Sequence, residues 1–207
     1  MRKFMILLTT LIFLIATTGA ANAIFFDSKT FFLEKNPGLD LIDFEGIVDS
    51  GFVPLPDEFS DDVTFEGSNL FVADGLTNGA PSDWLINREF GAPISMTFTA
   101  SIQAVGFNIA TNYESSVTHQ TILKLYNGTS LIDKQTIKTT KLEEFDTFVG
   151  WSDLGSFDKV TVELNPKDFA NIDNLYYGTP VPEPATLLLV GAGLIGIASA
   201  HRKMKKK

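Results

Sequence analysis

Hydrophobic and polar residues alternate through most of the chain between residues 24 and 178. In Ile94 to Ala100, four apolar residues alternate with three Ser or Thr residues. A period of two is typical of strands with one buried face. Val105 to Ile109 and Val160 to Leu164 repeat the pattern. Further strands are predicted at 39–47, 64–72, 84–90, 123–126, 130–132, 145–151 and 171–177. In total, roughly nine or ten short strands are predicted.

Turn residues separate these segments. Asn127 and Gly128 lie between two strand patterns, and this dipeptide predicts a two-residue hairpin of type I′. Further turns are predicted at 54–57, 74–75, 78–79, 91–93 and 165–166, where Pro, Gly, Asn and Asp cluster. No long amphipathic helix is apparent. The sequence therefore predicts an all-β domain, an antiparallel β-sandwich.

The first 23 residues follow a different pattern. Arg2 and Lys3 precede an apolar stretch, 4–16, and small residues occupy positions 21 and 23. This is the pattern of a secretory signal peptide, which implies export by the secretion machinery and cleavage by signal peptidase. The alternative is an uncleaved anchor helix. The predicted cleavage site consists of Ala21, Ala23 and Ile24, and Ile24 begins the mature chain.

The last 27 residues form a third kind of segment. Two prolines favour extended backbone, so a helix can begin only after Pro184. The uncharged stretch 185–200 gives a helix of roughly 24 Å, which the flanking cations can extend towards a ~30 Å membrane core. Positive charge places the tail on the cytoplasmic side. The sequence thus predicts three parts: a signal peptide (1–23), an exported domain (24–178) and a C-terminal segment (179–207). The C-terminal segment contains a sorting motif, a transmembrane helix (185–200) and a basic stop. The motif consists of Val181, Pro182, Glu183 and Pro184, and the basic stop consists of Arg202, Lys203, Lys205, Lys206 and Lys207.

A Pro-Glu-Pro tripeptide, a short apolar helix and a basic end, in this order, resemble the sorting tag of PEP-CTERM proteins. The resemblance covers the last 27 residues. It implies that Pro182, Glu183 and Pro184 are recognised by exosortase while the protein is transiently anchored in the inner membrane. It also implies release to the cell surface or the medium of a Gram-negative host that makes exopolysaccharide, as part of a biofilm matrix.

The charge of the chain excludes some functions. The formal net charge is −9, and residues 24–180 contain 9 Lys and Arg against 24 Asp and Glu. Such an acidic domain is a poor nucleic-acid binder. The chain has no cysteine, the exported part has one histidine, His119, and no Gly-x-Ser-x-Gly motif is present. A Ser-His or Cys-His mechanism is therefore unsupported, and no catalytic residue is assigned. The glycines of 191–196 match a dinucleotide fingerprint, but no acidic residue follows at the required distance.

Two motifs extend the resemblance into the exported domain. Residues 42–46 and 172–178 resemble the first and last strands of jelly-roll domains common in PEP-CTERM proteins, which are similar to carbohydrate-binding modules. The resemblance implies a structural Ca²⁺ held by Glu45 and Asp173, and oxygen ligands of this kind suit that ion. The alternative is a pair of solvated or hydrogen-bonded carboxylates at strand ends.

The preferred function is therefore non-enzymatic, either structural or polysaccharide-binding. A secreted hydrolase that uses a pair of carboxylates is the alternative. Aromatic side chains can stack on sugar rings when they are exposed, but they more often pack a core. The candidate glycan contacts are Trp84, Trp151 and Tyr177.

Overall fold

The computed structural model describes residues 24–47, 51–56, 60–75, 82–111, 119–141, 145, 147–153, 155–164 and 168–181. Within them lie thirteen strands and one short helix. In chain order these are β1 Ile24–Phe26, α1 Lys29–Lys35, β2 Asp40–Ile42, β3 Phe52–Pro54, β4 Val63–Glu66, β5 Leu70–Ala73, β6 Trp84–Asn87, β7 Ile94–Ile102, β8 Ala104–Thr111, β9 His119–Asn127, β10 Ser130–Lys141, β11 Thr147–Ser152, β12 Phe157–Leu164 and β13 Ala170–Gly178.

The strands form two sheets packed as a sandwich. The first sheet has the order β3-β5-β6-β13-β8-β11-β1, with β2 on the same edge of β13 as β6. The second has the order β10-β9-β12-β7-β4. The described pairings are antiparallel except where the end of β10 meets the end of β8, at Thr140 and Ala110, and this parallel contact joins the two sheets. The predicted antiparallel β-sandwich is confirmed.

The main core lies between the two sheets. The inward residues of the first sheet include Phe107, Ile109 and Ile172, all with 0% exposure. Those of the second include Ile94, Met96, Leu123, Leu125, Val160 and Val162, also with 0% exposure. These residues are the apolar members of the alternating patterns, so the periodicity identified the buried face of the strands correctly.

The outer face of the first sheet is also covered, here by α1. The helix begins at Ser28, whose Oγ accepts a hydrogen bond from the Phe31 amide at 3.4 Å. Phe32 is fully buried against Phe26 at a centroid distance of 5.3 Å. Gly106 and Gly150 are paired across β8 and β11. A Cβ atom at either glycine would lie 2.8 Å from the Phe32 ring. Because these two glycines have no Cβ atom, the Phe32 ring and its helix can pack closely on the sheet.

Several local predictions need correction. The strand predicted at 39–47 is reduced to β2, and Glu45 lies in the turn that follows it. The predicted strand 64–72 is two strands, β4 and β5, separated by Gly67, Ser68 and Asn69. The short helix α1 was not predicted, because its apolar residues are consecutive and show no helical period. Asn127 pairs with Ser130, so the hairpin turn residues are Gly128 and Thr129. Only Gly128 has positive φ, at 56°, whereas a type I′ turn needs positive φ at both turn residues.

Several predictions concern residues outside the described part. These are the signal peptide with Ala21 and Ala23, the motif Pro182 to Pro184, the helix 185–200 and the basic stop. In the described ranges, no helix is long and apolar enough to cross a membrane.

Candidate functional site

The candidate site lies where β13 changes its partner. Asn171 and Ile172 pair with β6, whereas Leu175 to Tyr177 pair with β2 on the same edge. Asp173 and Asn174 lie between the two pairings, and Asn174 has a φ of 50°. Such a value is uncommon for residues other than glycine. Asp173 therefore sits at the junction of β2, β6 and β13.

Glu45 reaches the same junction from the turn that follows β2. Its neighbours Phe44 and Gly46 have φ values of 61° and 74°. Phe44 is 1% exposed and packs on Phe65 with a centroid distance of 5.8 Å. The Glu45 amide donates to Asp43 Oδ1 at 3.2 Å. A buried aromatic and an Asx-type turn thus hold the backbone around Glu45 in an unusual conformation.

The dipeptide before β6 contacts both carboxylates. The Asp83 amide donates to Glu45 Oε1 at 3.2 Å, and Ser82 Oγ donates to Asp173 Oδ2 at 2.5 Å. Asp173 also accepts from the Asn174 amide at 2.6 Å. The structure therefore brings together the two residues predicted to hold calcium. Sequence reasoning missed Ser82 and Asp83, because two polar residues before a strand carry no distinctive signal.

The electrostatics of this junction are unfavourable for an ionised carboxylate. Burial raises the pKa of the Asp173 carboxyl to about 6, and the neighbouring charge of Glu45 adds to the rise. Hydrogen bonds from Ser82 and Asn174 and the charge of Lys29 oppose it. Desolvation, with smaller contributions from the charges of Asp83 and Asp43, also raises the pKa of Glu45. A nearby cation would relieve this cost.

The donor set at the junction suits a hard cation. Both carboxylates and the Ser82 hydroxyl offer oxygen, which Ca²⁺ prefers, whereas most transition metals select nitrogen or sulfur. Across the described ranges, no group of three or more His, Asp or Glu residues is arranged to hold a metal. If calcium binds at this junction, Glu45 and Asp173 are the carboxylates that would hold it, and its other oxygen ligands would have to be hydroxyl or backbone groups and water.

The three predicted glycan contacts are buried. Trp84 and Trp151 have 0% exposure and Tyr177 has 8%. Trp84 Nε1 donates to Asn171 Oδ1 at 2.9 Å, on the outer face of the first sheet, where Phe145 also packs. Trp151 belongs to the core between the sheets. The prediction that Trp84 and Trp151 contact a glycan is wrong, since neither indole is exposed. Tyr177 is largely buried and lines a surface pocket.

The chain keeps contact with the domain up to the start of the sorting segment. The Gln103 amide donates to the Gly178 carbonyl at 2.9 Å, and the Val181 amide donates to the Pro37 carbonyl at 3.2 Å. The Val181 side chain lies 3.1 Å from where a Cβ atom of Gly38 would be. The chain at Val181 thus lies along the turn that follows α1.

Comparison with known protein families finds a known motif at the C-terminal end of the chain. A PEP-CTERM protein-sorting motif matches residues 180–203. The motif indicates a secreted protein with a C-terminal sorting signal, processed by exosortase. No curated protein has a significant sequence match to the chain.

Solved structures similar to the domain include carbohydrate-binding modules. A family 6 module from Clostridium stercorarium in complex with cellobiose has 15% identity and a TM-score of 0.33, over 63% of this chain and 94% of that one. A family 29 module from Piromyces equi has 11% identity and a TM-score of 0.36, over 67% and 98%. A family 35 module in complex with a disaccharide containing glucuronic acid has 17% identity and a TM-score of 0.32, over 68% and 94%. Scores of this size assign neither a ligand nor a binding site.

Proposed function

We propose that this protein is a non-enzymatic, polysaccharide-binding component of the cell surface or extracellular matrix, delivered there by exosortase. The observation that carries the proposal is the sorting motif at 180–203, which follows directly on a folded β-sandwich. The resemblance of this signal implies a domain that acts outside the inner membrane of a host that makes exopolysaccharide, and this is the polymer that we propose it binds. The acidic surface keeps such a domain soluble after release.

Asp173 is a poor candidate for the acid of a glycosidase. A glycosidase needs an accessible carboxylic acid with a raised pKa, facing a second carboxylate. The pKa of Asp173 is raised to about 6, but its side chain is 2% exposed and accepts hydrogen bonds from Ser82 and Asn174. It therefore cannot protonate a glycosidic oxygen.

The sorting part of the proposal is tested by the intact mass of the protein from its native host. We expect the form in the medium or on the cell surface to begin at Ile24 and to end near the motif, without the basic stop. A chain that keeps its full C-terminus and stays in the inner membrane would make this a protein with an ordinary membrane anchor, and the matrix role would be withdrawn.

We also propose that the junction of Glu45 and Asp173 holds a structural Ca²⁺. The ion would favour the ionised form of Asp173, whose charge is otherwise costly in its buried position. It would also tie the turn after β2 to the start of β6 and the middle of β13. Its role is to stabilise the domain, since two of its ligands come from segments far apart in sequence.

Calcium is expected to raise the melting temperature of the exported protein. At a hundredfold excess over its dissociation constant, a bound ion stabilises by about 2.7 kcal/mol, or roughly 5–10 °C for a domain of this size. The gain should shrink as the pH falls below 6, because protons then compete for Asp173. Differential scanning calorimetry in EDTA and in calcium, between pH 5 and 8, measures both effects.

Two variants make the calcium experiment specific. Asp173→Asn should lose the response to calcium and remain folded in EDTA, because a neutral amide in this buried position costs less than a charge. Asp158→Asn should keep the response, since Asp158 contacts the Gly128 amide in the β9–β10 hairpin instead. An equal calcium response in wild type and Asp173→Asn would place any bound ion elsewhere.

A further inference from the structure

A concave surface lies at the end of the sandwich, next to the segment that leads into the sorting motif. This pocket has a volume of about 200 Å³. Its wall combines the end of β7 with the adjoining ends of β2 and β13 and the loop before β4. The residues that define its chemistry are Asp40, Asp62, Phe98, Ser101, Tyr177 and Thr179.

The floor of the pocket is aromatic. The rings of Phe98 and Tyr177 lie 5.6 Å apart at an angle of 32°. Both belong to the main core, so only their edges reach the pocket, with exposures of 4% and 8%. The side chains of Ser60 and Asp62 lie near enough to the Tyr177 hydroxyl to affect its pKa. A core aromatic thus presents a polar group at the surface.

The loop that carries Asp62 is fixed to β7. The amide and the hydroxyl of Thr99 both donate to the Asp62 carbonyl, at 2.9 Å and 3.2 Å. Asp40 stands opposite Tyr177 in the pairing of β2 with β13. Burial raises the pKa of the Tyr177 phenol, and the carboxylates of Asp62 and Asp40 raise it further, so both carboxylates act on one hydroxyl. The backbone that carries Asp62 is therefore fixed to β7, and the carboxylates of Asp40 and Asp62 both lie near the Tyr177 hydroxyl.

This combination matches the surface of a sugar ring. Carboxylates accept hydrogen bonds from sugar hydroxyls, Ser and Thr hydroxyls donate or accept, and the ring edges contact C–H groups. The described lining contains no Lys, Arg or His, so an acidic sugar would face two carboxylates with no compensating cation. The alternative ligand is a metal cation. It would contact the two carboxylates but would not use the Ser and Thr hydroxyls or the aromatic rings of the lining.

We propose that this pocket binds one pyranose unit that carries no acidic group, as a subsite for the extracellular polysaccharide. This inference rests on the polysaccharide-binding function proposed above. About six or seven water molecules would fill the same volume, so the pocket accommodates one ring rather than a chain. Gly178 and Thr179 line it, and the bound unit therefore lies close to the sorting motif that begins at residue 180.

The test uses the processed protein and the purified exopolysaccharide of its host. Wild type should co-sediment with the polymer, and the double variant Asp40→Asn/Asp62→Asn should bind at least tenfold more weakly. Asn at position 62 still offers an oxygen to Tyr177, so the fold is expected to persist. The matched control is Asp27→Asn/Asp61→Asn, which removes the same charge from exposed positions outside the pocket lining. This control should bind as wild type does.

Competition with single sugars identifies the class of ligand. Glucose, galactose or glucosamine should displace the polymer from wild type, and glucuronate should not. Unchanged binding by the Asp40/Asp62 variant, equal competition by glucuronate, or cleavage of the polymer would each overturn the pocket assignment. If wild type does not bind the polymer at all, the polysaccharide-binding function itself fails. The two failures are therefore distinguishable.

Discussion

Replacing Trp151 with alanine is expected to lower the free energy of unfolding of the exported domain by about 3 to 5 kcal/mol. The indole has 0% exposure and packs edge-on against Phe25 with a centroid distance of 5.4 Å. Its Nε1 donates to Asp133 Oδ2 at 2.8 Å, which ties β11 to β10. Alanine would leave a cavity between the sheets and remove this link. Urea unfolding of the processed protein, followed by the fluorescence of the remaining Trp84, measures the change.

Two further variants separate the contributions to this effect. Trp151→Phe keeps much of the buried surface and loses the hydrogen bond, so it should cost less than alanine does. Phe90 is the exposed counterpart, with 57% exposure and a single stacking contact to Phe169 at 4.1 Å. Phe90→Ala should cost about 1 kcal/mol. If Trp151→Ala cost no more than Phe90→Ala, Trp151 would belong to the surface, as the glycan-contact prediction assumed.

The strands of the second sheet were predictable because only one of their faces is buried. Met96, Phe98, Val160 and Val162 point into the core, and Thr97, Lys159 and Glu163 alternate with them at positions that are not buried. This is the situation in which a period of two is most visible.

The first sheet was harder to interpret because α1 and residues such as Phe145 cover its outer face. All four residues of β6, from Trp84 to Asn87, are buried, so alternation cannot tell which side chain faces which layer. Trp84 and Trp151 were predicted as glycan contacts from their residue type, and the alternative, packing in the core, is what the structure shows. Whether an aromatic in a strand is buried depends on what lies over the sheet, and that information is not local in sequence.

The candidate site was predictable only in part for a similar reason. Glu45 and Asp173 were identified through motifs at the two ends of the domain, whereas Ser82 was not. Ser82 reaches Asp173 across 91 positions of sequence, because β13 exchanges β6 for β2 at this point. The exchange is a consequence of long-range strand pairing, which single-sequence patterns do not encode. The pocket beside Tyr177 depends on the pairing of β2 with β13, and of the residues that define its chemistry only Tyr177 was predicted from the sequence.

Replacing Pro182, Glu183 and Pro184 together with alanine is expected to block sorting and leave the full-length chain in the inner membrane. The prolines keep the segment extended, and alanine is the residue that most favours helix. The predicted helix 185–200 could then continue back towards Val181, which is hydrogen-bonded to Pro37 on the domain. The extended stretch that exosortase is expected to bind would no longer exist.

The loss of sorting should be severe because Val181 is hydrogen-bonded to the folded domain, so the distance from the domain to the membrane depends on the three replaced residues. Three residues span roughly 10 Å when extended and about half of that in a helix, so the triple variant would draw the domain against the membrane and leave no room for an enzyme. Cell fractionation with intact-mass analysis of the membrane and the medium measures the outcome. Thr179→Ala, which precedes the matched motif, should be sorted as wild type is. Release of the triple variant at the wild-type rate would show that exosortase does not read this segment, and the route by which the β-sandwich reaches the matrix would have to lie elsewhere in the chain.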